Sequence, residues 1–253
     1  MAQALRNGTS TEQRADWFGR SRANQILSQI PPDVLAELLD NAALVFLRRG
    51  DRLDRLFSRG SVIFPLSGVF GGVLETEDGE CIQPVFVGSE GVIGGMRALH
   101  GMPFFLSFKV RLPGEALVVP ATVLRRIASE APALRLSMAR ATDRSYRLAA
   151  QHAVCARFHA LSIRCCAWLS LIHLQTEDDI IPITHEELAE VVGATRPAVS
   201  AALSLLTQEG LVHSIRRGAI RLIDPKRVAE YACSCWTTSG PATVEWERHA
   251  VRQ

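Results

Sequence analysis

Along this chain the spacing of apolar positions changes repeatedly, and each change marks an element. Residues 1–22 are polar, mixed and unpatterned, as in a flexible N-terminal tail. Between Asn24 and Leu39, Ile26, Leu27, Ile30, Val34, Leu35, Leu38 and Leu39 recur at helical spacing, with Pro31 and Pro32 opening the second of two short helices. From Ala43 to Val119 the pattern becomes short apolar runs: Val45–Leu47, Val62–Phe64, Val69–Leu74, Ile82–Val87, Val92–Ile93, Phe104–Leu112 and Ala116–Val119. Turn signals separate them at Gly50-Asp51, Ser67-Gly68, Asp78-Gly79, Gly88-Ser89 and Pro113-Gly114. Strands so spaced predict an all-β sandwich or barrel.

Helical spacing returns after Pro120, in a short segment from Thr122 to Ile127 and a long one from Pro132 to about Val154. In the long segment Leu134, Met138, Ala141, Ser145, Leu148, His152 and Cys155 recur at spacings of 3 and 4, a seam suited to pairing with another helix. The same seam would also serve to pack the helix on its own β-domain. A further helix follows from Ala156 to Leu174, with Phe158, Leu161, Cys165, Trp168, Leu169 and Ile172 inward, then a short strand at Ile180–Ile183.

The segment from Thr184 to Ile223 carries the chemistry. Thr184 and Glu187 have capping-box spacing, Leu188, Val191 and Val192 give the helix an apolar side, and Gly193 ends it. Thr195 caps a second helix, Pro197 suits its first turn, and Val199, Ala202, Leu203 and Leu206 form its inner face. Two short helices joined at a glycine make a helix-turn-helix. The opposite face of the second helix presents Arg196, Ser200 and Ser204, with Pro197 and Ala201 beside them. In such motifs the N-terminal part of this helix reaches base edges in the major groove, and Arg is the best single reader of guanine. Two short strands follow, Leu211–Ile215 and Ala219–Ile223, joined through Arg216, Arg217 and Gly218. This hairpin is a wing whose basic tip suits phosphate contact. The predicted DNA-contacting set is therefore Thr195, Arg196, Pro197, Ser200, Ala201, Ser204, Arg216 and Arg217.

The net charge of +2 does not by itself point to nucleic acid, but its distribution does. Arg196, Arg216, Arg217, Arg221, Lys226 and Arg227 follow an acidic stretch holding Glu177, Asp178, Asp179, Glu186, Glu187 and Glu190. That segregation fits a DNA-facing surface with an acidic back. The first twenty residues hold no apolar run, so no signal peptide is expected, and no segment approaches the roughly 20 apolar residues that span a bilayer. A cytoplasmic location follows as an expectation, with the six cysteines as reduced thiols.

The stretch from Ile183 to Val212 (ITHEELAEVVGATRPAVSAALSLLTQEGLV), with Arg217-Gly218 and Asp224, resembles the Crp/Fnr family of transcription regulators. So do Gly50-Asp51, Phe64 through Gly68, Asp78-Gly79, Val87 through Gly91 and Leu112 through Gly114 in the first half; the resemblance covers roughly residues 24–235. It implies an α+β fold: a double-stranded β-helix sensor (a β-roll like that of cyclic-nucleotide-binding domains) over 23–120, a dimerisation helix region over 121–155, and a winged helix-turn-helix over 156–236. Tails at 1–22 and 237–253 complete the division. The partners it implies are double-stranded DNA, a second copy of the chain and RNA polymerase, with no membrane. Three departures stand out. Gly94-Gly95 occupies the place of the Gly-Glu pair of cyclic-nucleotide binders, and Ser107-Phe108 lies near the expected Arg, so cyclic AMP is not an expected ligand. No cysteine precedes Cys81, whereas the oxygen-sensing branch holds its iron–sulfur centre on N-terminal cysteines. Pro197 and Ala201 replace the Glu and Arg usual in the recognition helix, although Arg196 and Ser200 each match a branch of the family.

Neither cofactor nor metal is expected, and no catalytic residue. Cys165-Cys166 reads as core filler, and Cys233-Ser234-Cys235 falls short of the four ligands that zinc requires, with Cys81 and Cys155 far away in sequence. A metal-dependent oxygenase on a β-roll would need a cluster of histidines with a carboxylate, and the predicted roll holds only His100. Two alternatives stay open beside a signal-gated regulator: a ligand-independent DNA binder with a structural β-roll, and a redox or metal sensor using cysteines.

Overall fold

The short apolar runs of the first half fold into two antiparallel sheets, seen in a computed structural model that describes residues 3–5, 11–58, 60–102, 105–176, 178–215 and 218–235. The elements in chain order are β1 (Gln3–Leu5), α1 (Thr11–Ser21), α2 (Gln25–Ser28), α3 (Pro32–Asp40), β2 (Ala43–Leu47), α4 (Asp54–Ser58), β3 (Ser61–Pro65), β4 (Val69–Glu75), β5 (Cys81–Val87), α5 (Gly95–His100), β6 (Ser107–Leu112), β7 (Gly114–Pro120), α6 (Ala121–Glu130) and α7 (Pro132–Phe158). One sheet runs β1-β2-β7-β3 and the other β5-β4-β6. In the first, β7 pairs with β2 (Ala43↔Val118) and with β3 (Ser61↔Pro120), so β7 is central.

Most positions on both faces of that sheet are buried, which is why its strands read as near-continuous apolar runs. Successive side chains point to opposite faces. Leu44, Val62, Phe64, Leu117 and Val119 pack on one side against α2, α3, α6 and the start of α7. Val45, Leu47, Ile63 and Ala116 face the other way, into a roll interior shared with Leu53, Phe57, Phe70, Phe108 and Val110. Slipping one strand by a residue would exchange the two sets, so the register is strongly specified.

The N-terminal segment departs from the expectation of a flexible tail. Residues 11–21 form α1, and Trp17 and Phe18 pack on the first core while Ser21 is fully buried, its hydroxyl donating to the Phe18 carbonyl. The buried Asn24 joins three segments. Its amide donates to the Pro65 and Gly91 carbonyls at 2.8 and 2.9 Å, and its oxygen caps α2 by accepting from Ile26 and Leu27. Val92–Ile93 is not a strand; Ile93 makes a single bridge to Ile63. α4 and α5 carry too few periodic positions to be seen in the sequence.

The long helix runs past the expected end, to Phe158, and its faces differ from the sequence reading. Leu134, Met138 and Ala141, the first three positions of the seam, are buried in this chain's own core. The exposed register with the same 3/4 spacing is Leu136, Ala139, Asp143, Tyr146, Ala150, Ala153 and Arg157. Phe158, expected inward, is 72% exposed.

By compactness the chain divides into Met1–Val73 with Phe86–Ser145, and Leu74–Val85 with Tyr146–Gln253, a cut that falls within α7. The second unit adds α8 (Leu161–Thr176), β8 (Ile180–Ile181), α9 (His185–Val192), α10 (Arg196–Gln208), β9 (Val212–Ile215), β10 (Ala219–Leu222) and α11 (Pro225–Tyr231). Its centre is α8, buried without a break from Cys165 to Ile172. A helix apolar all round is a core helix. Burial pushes the Cys165 and Cys166 thiols up to about 12, so both stay protonated as filler. His152, stacked edge-on against Trp168, is pushed down to about 4 by burial first and the Arg164 charge second, and is neutral at physiological pH. The three-stranded sheet β8-β10-β9 completes the unit.

The tightest backbone approach joins the turns at Ser67-Gly68 and Pro113-Gly114. A Cβ on Gly114 would stand 2.2 Å from the Ser67 carbonyl oxygen and 2.7 Å from the Gly68 nitrogen, backbone atoms that cannot swing away. Gly114→Ala is therefore expected to cost about 1–3 kcal/mol, as overpacking does. Gly50→Ala, which meets nothing within 4 Å but sits at φ +85°, should cost about 1 kcal/mol from backbone strain alone. Denaturant unfolding of the two variants checks this, and equal losses would show that the close approach is not a constraint.

Candidate nucleic-acid interface

Hydrogen bonding and burial fix the helix-turn-helix. Thr184 begins α9 with a full capping box: its Oγ1 accepts from the Glu187 amide at 3.1 Å, and its own amide donates to Glu187 Oε2 at 2.8 Å. Leu188, Ala189, Val191 and Val192 are buried beneath it. Gly193 ends the helix at φ 63° and ψ 56°, the left-handed conformation that a glycine C-cap supplies. Two residues on, Thr195 Oγ1 accepts from the Ala198 amide, and α10 begins with Arg196 and Pro197. Val199, Ala202, Leu203 and Leu206 are buried, as the spacing predicts.

The outer face of α10 matches the predicted set in part. Thr195, Arg196, Pro197, Ala201 and Ser204 are exposed, the Arg196 side chain to 68%. Ser200 is half-buried, and its hydroxyl lies 2.9 Å from His185 Nδ1. It faces the start of α9 and not the open solvent. The Ser204 hydroxyl donates to the Ser200 carbonyl one turn back. Arg216 and Arg217 lie outside the described residues. The flanking strands form the expected hairpin, Ala219↔Ile215 through Leu222↔Val212, with Gly218 at φ 78°, where a Cβ would stand 2.7 Å from Thr184 Cγ2.

His185 was not among the sequence candidates. Its two ring nitrogens reach Ser200 Oγ on α10 and Ser214 Oγ on β9, the latter at 3.2 Å. One side chain thus connects the first helix, the recognition helix and the wing. Its position one residue inside the Thr184 cap was a signal available in the sequence.

The charges are less segregated than the sequence implies. Glu186 Oε2 stands 4.0 Å from Arg196 Nε, so a carboxylate of the acidic stretch borders the exposed turn. Both are well exposed, and such a pair contributes little to stability. Arg221 lines a shallow cavity with Asp178 and Asp179 of the acidic stretch. The last helix, α11, is capped by Asp224, whose side chain accepts from the Arg227 amide.

The cysteines also rearrange the sequence reading. Cys155 and His159, one turn apart at the end of α7, meet Cys233 and Cys235, with all four potential ligand atoms within 4.8 Å of one another. The further ligands that the CxC motif lacked are therefore supplied from a distant helix. In the first unit, a Cβ on Gly95 would stand 2.7 Å from Met138 Cε, the mobile end of a flexible side chain.

Residues 163–231 match the Crp-like helix-turn-helix domain. Among proteins of curated function, none is significantly similar in sequence to this chain. Solved structures of the same fold include a protein of Eubacterium rectale assigned to the Crp/Fnr transcriptional regulators (15% identity, 80% of this chain and 94% of that one, TM-score 0.65). The c-di-GMP responsive global regulator CLP of Xanthomonas campestris is 16% identical over 77% of this chain and 100% of its own, with TM-score 0.62. A Crp/Fnr-family transcriptional regulator of Thermus thermophilus is 23% identical over 75% of this chain and 97% of its own, with TM-score 0.61. No helix among the described residues is long and apolar enough to cross a membrane.

Thr184→Ala removes one capping-box acceptor and should destabilise the winged-helix unit by about 1 kcal/mol. For a domain of this size that lowers the melting temperature by roughly 4–8 °C. Thr184→Ser keeps the hydroxyl and should recover most of it. Calorimetry on the full chain checks both, and an unchanged Thr184→Ala transition would show that the cap is not holding α9.

Proposed function

We propose that this chain, which carries a Crp-like helix-turn-helix domain in the fold of Crp/Fnr regulators, is a DNA-binding transcription regulator that reads a roughly palindromic operator as a homodimer. The observation that carries the reading is the first turn of α10. Thr195, Arg196 and Pro197 are in solvent while Val199, Ala202, Leu203 and Leu206 anchor the same helix in the core. A helix N-terminus so presented offers a bidentate donor to DNA. Arg196 reads a base; Thr195, Pro197, Ala201 and Ser204 set the fit to the groove; Ser200 contributes through its contact with His185. Arg216 and Arg217, at the wing tip in sequence, hold phosphate. The chain acts in the cytoplasm, where its DNA lies, as a non-enzyme that works on RNA polymerase.

Two recognition helices must meet half-sites about 34 Å apart, which calls for two copies. The register of α7 left in solvent supports pairing there: Leu136, Ala139, Asp143, Tyr146, Ala150, Ala153 and Arg157 follow the a/d spacing of a coiled coil. Small residues at Ala139, Ala150 and Ala153 permit close approach, and Tyr146 supplies the bulk. Tyr146→Glu places a charge in that seam and should shift the chain from dimer to monomer in sedimentation at micromolar concentration. A wild-type monomer, with and without DNA, would contradict the pairing.

Arg196→Ala should cost roughly 1–3 kcal/mol on the preferred operator and relax preference at one base pair per half-site. Arg216→Ala and Arg217→Ala should lower affinity for all sequences alike, and each should flatten the slope of log affinity against log salt by about 0.9. Binding titrations against an operator library at several salt concentrations separate the two roles. A uniform loss for Arg196→Ala, with sequence preference intact, would overturn the assignment.

A further inference from the structure

We infer that Cys155, His159, Cys233 and Cys235 form a binding site for one thiophilic divalent cation of the zinc type. All four lie in the second compact unit, and two different elements bring them together. Cys155 lies on the last turn of α7 and His159 one residue past its end, held there by its amide donating to the Cys155 carbonyl. Cys233 and Cys235 come from the segment that follows α11.

Three observations point to a metal and not to incidental clustering. The first is the donor set. Three thiols and an imidazole are one of the standard closed tetrahedral sets for structural zinc. The second is the spacing. With Zn–S bonds of about 2.3 Å, the edge of a tetrahedron between two sulfurs is about 3.8 Å. The sulfurs of Cys155 and Cys233 are 3.8 Å apart, and all four donor atoms lie within 4.8 Å of one another. An iron–sulfur cluster would spread its cysteine sulfurs wider than this, because iron and sulfide occupy the centre. The third is the imidazole. His159 Nδ1 is buried and has no hydrogen-bond partner. A buried polar atom left unsatisfied is costly, and a metal ion at the centre of the cluster satisfies it.

An ion there ties the end of α7 to the segment beyond α11, closing the winged-helix unit on the side where it joins the long helix. Coordination requires the three cysteines as thiolates and His159 neutral, so binding releases protons into solution and transfers no electrons. The site therefore needs reducing conditions to fill and no oxidant or reductant to function. The proposal rests on the cluster alone, independently of the DNA-binding reading.

The test uses the full chain, reduced and handled without oxygen. Metal analysis after zinc loading and desalting should give one ion per chain. Titration with cobalt(II) should give the visible bands of a tetrahedral site with thiolate-to-metal charge transfer, bleached by zinc. Cys155→Ser, His159→Gln and Cys233→Ser should each weaken binding by more than the roughly 10- to 100-fold that loss of an outer-shell partner costs. Cys81→Ser, outside the cluster, should leave stoichiometry at one. Absence of the cobalt spectrum in the reduced wild-type chain would overturn the proposal, whatever the variants do. So would a Cys155–Cys233 disulfide in the isolated protein that, once reduced, still takes up no zinc.

Discussion

The anchoring of α10 is the constraint from which the interface follows. Val199, Leu203 and Leu206 are almost fully removed from water, and each contributes on the order of 1.5–3 kcal/mol by burial. That stripe fixes the rotation of the helix about its axis. Once it is fixed, Arg196 and Ala201 have only one direction to face, and the turn at Gly193 must deliver the chain to Thr195 so that the cap closes. The helix that receives α10 is α8, whose continuous burial from Cys165 to Ile172 leaves it no freedom to adjust. His185 adds a polar fastening between the helix pair and the wing. The exposed first turn is therefore set in orientation by the buried stripe behind it.

The first unit solves a different problem. Its central sheet is mostly buried on both faces, so its strands hold register by the two-sided division of Leu44, Phe64 and Leu117 from Val45, Ile63 and Ala116. The buried Asn24 bridges three segments with four hydrogen bonds. Met138 reaches from the long helix to Gly95, where an added Cβ would stand 2.7 Å from its Cε.

Much of this was legible in the sequence, because local rules act over a few residues. The capping box at Thr184, the glycine at 193, and the apolar stripe of α10 are each decided within one or two helical turns. What was not legible depended on partners distant along the chain. The N-terminal segment looked unpatterned because only Trp17 and Phe18 carry its apolar contact, too few for a period. The start of the α7 seam serves the chain's own packing, because a 3/4 spacing marks any apolar stripe, and Leu134, Met138 and Ala141 spend theirs on their own core. Ser200 has the spacing of a reading-face residue, but its hydroxyl lies within reach of a histidine fifteen positions earlier. The metal-ligating cluster joins residues 78 apart, and neither CxC nor CxxxH alone meets the count that zinc requires.

Selection of operators from a random pool of duplex DNA by the full-length wild-type chain tests the reading most directly. Two copies pairing along α7, each presenting the first turn of α10, should enrich an inverted repeat whose half-site centres lie about 10 base pairs, one helical turn, apart. The selected sequence should carry a guanine at one symmetric position in each half-site for Arg196. Enrichment of a single unpaired half-site, or retention of DNA with no sequence preference, would contradict it.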